Sequence, residues 1–90
     1  MKIEVTPHDI RYAKAHRTRG ITDGRVYYNP RQHCPIARAA RRLNPKANIA
    51  VSADYIYIDF EHCVLPTIAQ DFIVDFDGYM LVEPIEFEVC

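Results

Sequence analysis

The sequence predicts a small single α+β domain over residues 1–90, in which two or three helices pack on a mainly antiparallel sheet. A length of 90 residues is enough for one hydrophobic core, and 49% apolar with 26% charged residues is an ordinary globular composition. Segments of helical periodicity are mixed with short segments of period two, in the order β-α-(β)-α-β-β-α-β. Hairpins mixed with helices are typical of an α+β fold.

The first two elements are a short strand and a capped helix. Residues 2–5 alternate between polar and apolar side chains, as a half-buried strand does. Thr6 is a good N-cap, Pro7 suits the first helical position, and Asp9 lies where a capping box needs an acid. We expect this helix to begin at Pro7, to end at residue 16 or 17, and to turn Ile10 inward.

The second helix is the clearest in the sequence and follows an excursion over residues 20–33. Cys34 precedes it, Pro35 suits its first position, and Asn44-Pro45 ends it. Its apolar residues recur at i, i+3, i+4 and i+7: Ile36, Ala39, Ala40 and Leu43.

A hairpin, a third helix and a last strand complete the chain. Residues 48–53 and 55–60 indicate two strands joined by a tight turn, with Ile56, Ile58 and Phe60 on one face. The third helix opens at Leu65-Pro66 and closes at Gly78. The last strand spans about residues 80–89. The apolar stripe of the third helix is Ala69, Phe72, Ile73 and Phe76.

The two halves of the chain carry opposite charge. Residues 1–50 contain all eleven lysines and arginines and three acids, for a net charge of +8, whereas residues 51–90 contain nine acids and no lysine or arginine. Three interpretations follow: the halves neutralise each other in the fold, a basic face binds a polyanion, or an acidic face binds a basic partner.

The acidic half breaks a local rule of helix electrostatics. Asp75 and Asp77 are at the carboxyl end of the third helix, where the helix dipole disfavours anions, and Asp71 and Asp75 are a like-charged i, i+4 pair. A basic partner would compensate these charges, and Val74 would add an apolar contact. The predicted partner-binding residues are Asp71, Asp75, Asp77, Glu86 and Glu88.

The basic half provides the alternative, a surface for nucleic acid. Against it, no known nucleic-acid-binding motif is present, and the isoelectric point near 6.4 is below that of a dedicated binder. The residues of this predicted polyanion-binding surface are Arg17, Arg19, Arg25, Arg31, Arg38, Arg41 and Arg42.

The cysteines and histidines do not predict an enzyme or a metal site. Cys34 at a helix N-terminus, beside His33, is a possible nucleophile, but a small capping residue explains it as well. The pairs His33-Cys34 and His62-Cys63 do not have the usual spacing of zinc ligands. No glycine-rich phosphate loop or paired-carboxylate motif occurs. We expect no catalytic residue, no metal and no cofactor.

The location predicted from the sequence is the cytoplasm. The amino terminus lacks the apolar segment of a secretory signal, and no apolar run approaches the roughly 20 residues of a membrane span. An odd number of cysteines, three, fits reduced thiols better than a disulfide scaffold.

Residues 34–88 resemble a group of short bacteriophage and prophage proteins of uncharacterised function. The resemblance rests on Cys34-Pro35-Ile36-Ala37-Arg38-Ala39 and the hairpin after it, on the segment from Leu65 to Gly78, and on Val82-Glu83-Pro84-Ile85-Glu86-Phe87. It implies a phage context, in which short proteins often bind host or defence machinery, and it provides no activity or catalytic residue.

Together these observations predict a phage-encoded module that binds a host or defence protein stoichiometrically through its acidic residues. Nucleic-acid binding through the arginines is the alternative. Self-association, with the basic face of one copy against the acidic face of the next, is a third possibility.

Overall fold

The structure, a computed structural model, describes residues 1–19, 21–22, 25–26 and 34–90, with backbone alone for residues 16–19, 21–22 and 25–26. Within these ranges the elements are β1 (Lys2–Val5), α1 (Pro7–Arg19), β2 (Ile21–Thr22), β3 (Arg25–Val26), α2 (Pro35–Leu43), β4 (Ile49–Val51), β5 (Tyr55–Ile58), β6 (Glu61–Val64), α3 (Thr67–Asp77) and β7 (Ile85–Glu88).

The strand pairing confirms the α+β fold class. Every pair is antiparallel: β1 with β7, β2 with β3, and β4-β5-β6 as a three-stranded meander. The ribbon of β1 and β7 joins the two ends of the described chain, with Ile3 opposite Phe87. Every second side chain of this ribbon points inward, and the two strands contact α2 and α3.

The predicted capping box opens α1. The Thr6 backbone N–H donates to Asp9 Oδ2 at 2.9 Å, and the Asp9 N–H donates back to Thr6 Oγ1 at 3.2 Å. Ile10 is buried, as expected, and α1 runs to Arg19, two or three residues farther than the predicted end at residue 16 or 17.

Small side chains let α2 pack closely on β1, α1 and β4. Ile36, Ala39 and Ala40 are buried as predicted, and Ala37 is buried with them. Leu43 was expected on this stripe but is 51% exposed, because the last turn of α2 extends past the edge of the core.

The hairpin region differs from the prediction at its second turn. The first turn lies at Ala53-Asp54, where predicted, but β5 ends at Ile58 and a separate strand, β6, follows. Asp59 adopts a left-handed backbone (φ 56°) in the intervening turn. This turn places Phe60 in full solvent contact, so Phe60 does not share the inward face of Ile56.

The third helix is confirmed, whereas the last strand is shorter than predicted. Ala69, Phe72 and Phe76 are buried, Ile73 is half-buried, and Gly78 is the C-cap residue of α3. β7 covers Ile85–Glu88, and residues 80–84 have no regular structure. Pro84 lacks the N–H needed to extend the ladder.

Candidate functional site

Two surfaces of opposite charge stand out in the described chain. The first, the α3 outer face, consists of Ile68, Asp71, Val74 and Asp75. The second, the arginine cleft, is lined by Tyr12, Arg38, Arg41, Arg42 and Pro45. Each surface contains residues predicted from the sequence, together with neighbours that were not.

The α3 outer face places apolar side chains beside carboxylates. Its members recur at three- and four-residue spacing and are exposed, whereas Phe72 and Phe76 of the same helix are buried. Ile68 is 51% and Val74 66% exposed, and Asp71 and Asp75 are exposed as well. No cation in the described part of the chain lies within ion-pair distance of these two carboxylates.

Exposed apolar residues continue beyond the C-terminus of α3. Tyr79, Met80 and Leu81 are exposed by 65%, 61% and 90%. The backbone here is held by the helix end, because the N–H of Met80 donates to the carbonyl of Asp75 at 2.9 Å. The sequence pattern predicts a strand over residues 80–84 and therefore does not indicate this exposed segment.

The other predicted acids lie apart from Asp71 and Asp75. Asp77 lines a small cavity beside Cys34. Glu86 and Glu88 project from the outer side of the β1–β7 ribbon, and Lys2 Nζ lies 3.4 Å from Glu86 Oε2. The five acids are therefore divided between two elements, and Glu86 has an ion-pair partner within the fold.

The buried Asp9 contacts two arginines of the arginine cleft. Its carboxylate is fully buried; Oδ1 accepts a hydrogen bond from Arg42 Nη1 at 2.6 Å, and Oδ2 accepts from Thr6. Arg42 Nη2 also donates to the Glu4 carbonyl at 2.8 Å. Burial by itself raises the pKa of Asp9, but the hydrogen bonds from Arg42 and Thr6 outweigh burial and hold this pKa below its usual value.

Arg38 is placed by the same carboxylate and by an aromatic ring. Its Nε lies 3.2 Å from Asp9 Oδ1, and its guanidinium carbon lies 3.8 Å from the centroid of the Tyr12 ring. Both contacts restrict the guanidinium plane. The role of Asp9 as an anchor for two arginines was not predicted, because its position already fitted a capping box.

The remaining predicted polyanion-binding residues have different outcomes. Arg41 lies on the wall of the arginine cleft. The side chains of Arg17, Arg19, Arg25 and Arg31 fall outside the described residues. A polyanion surface extending along residues 11–31 therefore stays a prediction.

Cys34 is a buried capping residue in this structure. It is 5% exposed, and its Sγ accepts a hydrogen bond from the Ala37 N–H at 3.3 Å. Burial raises the pKa of the Cys34 thiol to about 11, against the lowering effect of the Ala37 and Ile36 N–H groups. The protonated thiol is a poor nucleophile at neutral pH.

We therefore expect Cys34 to react slowly with iodoacetamide. Mass spectrometry after treatment at about pH 7.5 should show alkylation of native protein at least tenfold slower than of protein unfolded in urea. Equal rates in the two states would contradict the burial of this thiol.

The other two cysteines form a disulfide, contrary to the expectation of reduced thiols. Cys63 on β6 is bonded to Cys90 after β7, so the bond joins the three-stranded meander to the β1–β7 ribbon. Cys63 cannot then act as a thiolate ligand in the His62-Cys63 pair. Among the described residues, no group of three or more potential ligands could hold a metal ion.

Fold and surfaces define a small α+β protein with an acidic, partly apolar helix face and a separate arginine-lined cleft. The chain matches no protein-family model, no curated protein and no solved structure. Within the described residues, no helix has the length and apolar character needed to span a bilayer.

Proposed function

We propose that this chain is a non-catalytic, phage-encoded binding module that acts on a basic host or defence protein through the α3 outer face. One observation carries the proposal: Asp71 and Asp75 are unpaired among the described residues and alternate with the exposed Ile68 and Val74 on one helix face. The resemblance of residues 34–88 to short phage proteins supports the biological setting.

The physical argument combines burial with charge. Burying Ile68 and Val74 against a partner would remove apolar area from water, which favours association. Cations of the partner would pair with Asp71 and Asp75 and fix its orientation. Asp75 gains most, because it lies near the carboxyl end of α3, where no basic residue of the last turn offsets the helix dipole.

A charge-matched pair of variants tests this proposal. Wild-type protein and the double variant Asp71→Asn with Asp75→Asn would be used to capture proteins from a bacterial lysate. We expect a basic protein that binds wild type and, once purified, binds the double variant roughly five- to tenfold more weakly in calorimetry. Its affinity for wild type should fall between about 50 and 200 mM salt.

The control removes two charges elsewhere. Asp54→Asn with Glu61→Gln changes two exposed acids of the three-stranded meander and should leave the affinity within about twofold. Equal weakening by both double variants would mean that net charge, and not the α3 outer face, determines binding. No salt-dependent partner at all would also overturn the proposal.

The cytoplasmic location is part of the same proposal, and the disulfide gives it a direct check. Disulfides are rare in reducing compartments, so in the cytoplasm Cys63 and Cys90 should be found as thiols. Trapping thiols in intact cells before lysis would distinguish the two states by mass. A fully oxidised pair would place the protein in an oxidising compartment.

A further inference from the structure

We infer that the arginine cleft binds a small anionic ligand through a phosphate group. This site is independent of the α3 outer face, since it is built from α1 and α2. The inference rests on a guanidinium that is held in place but has unused donors, on a local excess of positive charge, and on the composition of the cleft wall.

Arg38 presents unused hydrogen-bond donors in a fixed plane. Its Nε lies at ion-pair distance, 3.2 Å, from Asp9 Oδ1 without forming a hydrogen bond, and the Tyr12 ring lies 3.8 Å from the guanidinium carbon. No group of the described chain accepts a hydrogen bond from its two Nη atoms, although the side chain is only 29% exposed. Because the guanidinium group of Arg38 is already restricted, it loses little conformational entropy when a ligand accepts hydrogen bonds from its Nη atoms, and this favours binding.

Asp9 is too small a counter-charge for the arginines that it holds. Its Oδ2 accepts hydrogen bonds from Thr6, and its Oδ1 lies within ion-pair distance of both Arg42 and Arg38. Two guanidiniums share this one carboxylate, which leaves one positive charge on Arg42 and Arg38 together. The side chains of Arg38 and Arg42 are 29% and 46% exposed, so this excess is not buried within the described part of the chain.

The composition of the cleft wall favours a phosphate group over a carboxylate. The cleft has a volume of about 620 Å³, and the described residues that line it include three arginines and no acid. The tetrahedral phosphate offers several oxygens and up to two negative charges, so it can engage two forks, whereas a carboxylate matches one. Tyr12 and Pro45 provide an apolar edge for the group that carries the phosphate.

The experiment is a titration of the full chain followed by two-dimensional NMR of the backbone amides, at about 50 mM salt. Inorganic phosphate and a nucleoside monophosphate are the probes, and single-stranded DNA is a third arm. We expect saturable shifts at α1 and α2 with both phosphate probes, and about tenfold weaker binding in Arg38→Gln. Arg38→Lys keeps the positive charge but replaces the planar guanidinium group with an ammonium group, and should also weaken binding.

Arg11→Gln is the matched control. Arg11 lies on another side of α1, in a groove with Ile10 and Val82, and its removal changes net charge by the same amount. Binding by Arg11→Gln should stay within about twofold of wild type, and unchanged amide dispersion in the Arg38 variants shows that they remain folded. Absence of saturable shifts with both probes would overturn the inference. So would equal weakening by Arg11→Gln, or DNA binding alone, which would indicate a polyanion surface.

Discussion

Replacing Asp9 with alanine should lower the free energy of unfolding by about 2–4 kcal/mol at neutral pH, because it removes a helix cap and a charge-assisted hydrogen bond. The substitution leaves Arg42 and Arg38 without their counter-charge and removes the acceptor for Thr6 at the start of α1. The total free energy of unfolding of a domain of this size is about 5–13 kcal/mol, so the variant should be near the limit of folding. Urea denaturation followed by circular dichroism measures the change.

The control for Asp9 is Asp71→Ala, which removes an exposed carboxylate from the α3 outer face. It should change the free energy of unfolding by less than about 0.5 kcal/mol. A loss below about 1 kcal/mol for Asp9→Ala would show that the buried carboxylate contributes little beyond an ordinary helix cap.

The same network predicts how stability depends on pH. Hydrogen bonds from Arg42 and Thr6 hold the folded-state pKa of Asp9 below the ordinary 3.8. Stabilisation by Asp9 is therefore complete above the unfolded-state pKa and is lost as pH falls through the folded-state pKa. Between about pH 5 and pH 3 the wild-type protein should lose stability more steeply than Asp9→Asn, and parallel curves would contradict the assignment.

Opening the Cys63–Cys90 disulfide should cost roughly 3–4 kcal/mol. The bond closes a loop with a sequence separation of 27, and the chain-entropy relation gives about 3.5 kcal/mol for this length. The double variant Cys63→Ser with Cys90→Ser should show this loss in urea denaturation. It should also show a larger dependence of the free energy on urea, because its unfolded state is less constrained and exposes more surface.

Dithiothreitol provides the control for the disulfide. It should lower the stability of wild type by about the same amount and leave the double variant unchanged. If dithiothreitol destabilises the double variant as well, the loss comes from another group, and the loop argument is wrong.

Local patterns in the sequence were sufficient for the helices. The capping box of Thr6 and Asp9, the Pro35 start of α2 and the Gly78 end of α3 depend on neighbours a few residues apart, and all three are confirmed. The sequence predictions are wrong at positions where tertiary packing determines whether a side chain is buried. Leu43 has the right spacing for the core, but α2 extends past the core before Leu43 can be buried.

The candidate surfaces were less predictable, because they depend on contacts between distant residues. The opposite charges of the two halves predict binding residues on α3 and among the arginines of α2. Nothing in the sequence placed Asp9 beneath Arg42, a partner 33 positions away, or paired Cys63 with Cys90. The sequence pattern also does not show that Arg38 is clamped between Asp9 and Tyr12, since each contact links α2 to α1.

The pairing of β1 with β7 has a consequence for synthesis of the chain. Lys2 lies opposite Glu88 in this ribbon, so β1 is synthesised about 80 residues before its partner strand. Until then β1 has no partner strand, and Phe87 does not yet lie opposite Ile3. Strands that wait for distant partners fold slowly and can pair with other chains. The nascent protein should therefore be most prone to aggregation, and most in need of a chaperone, before β7 leaves the ribosome.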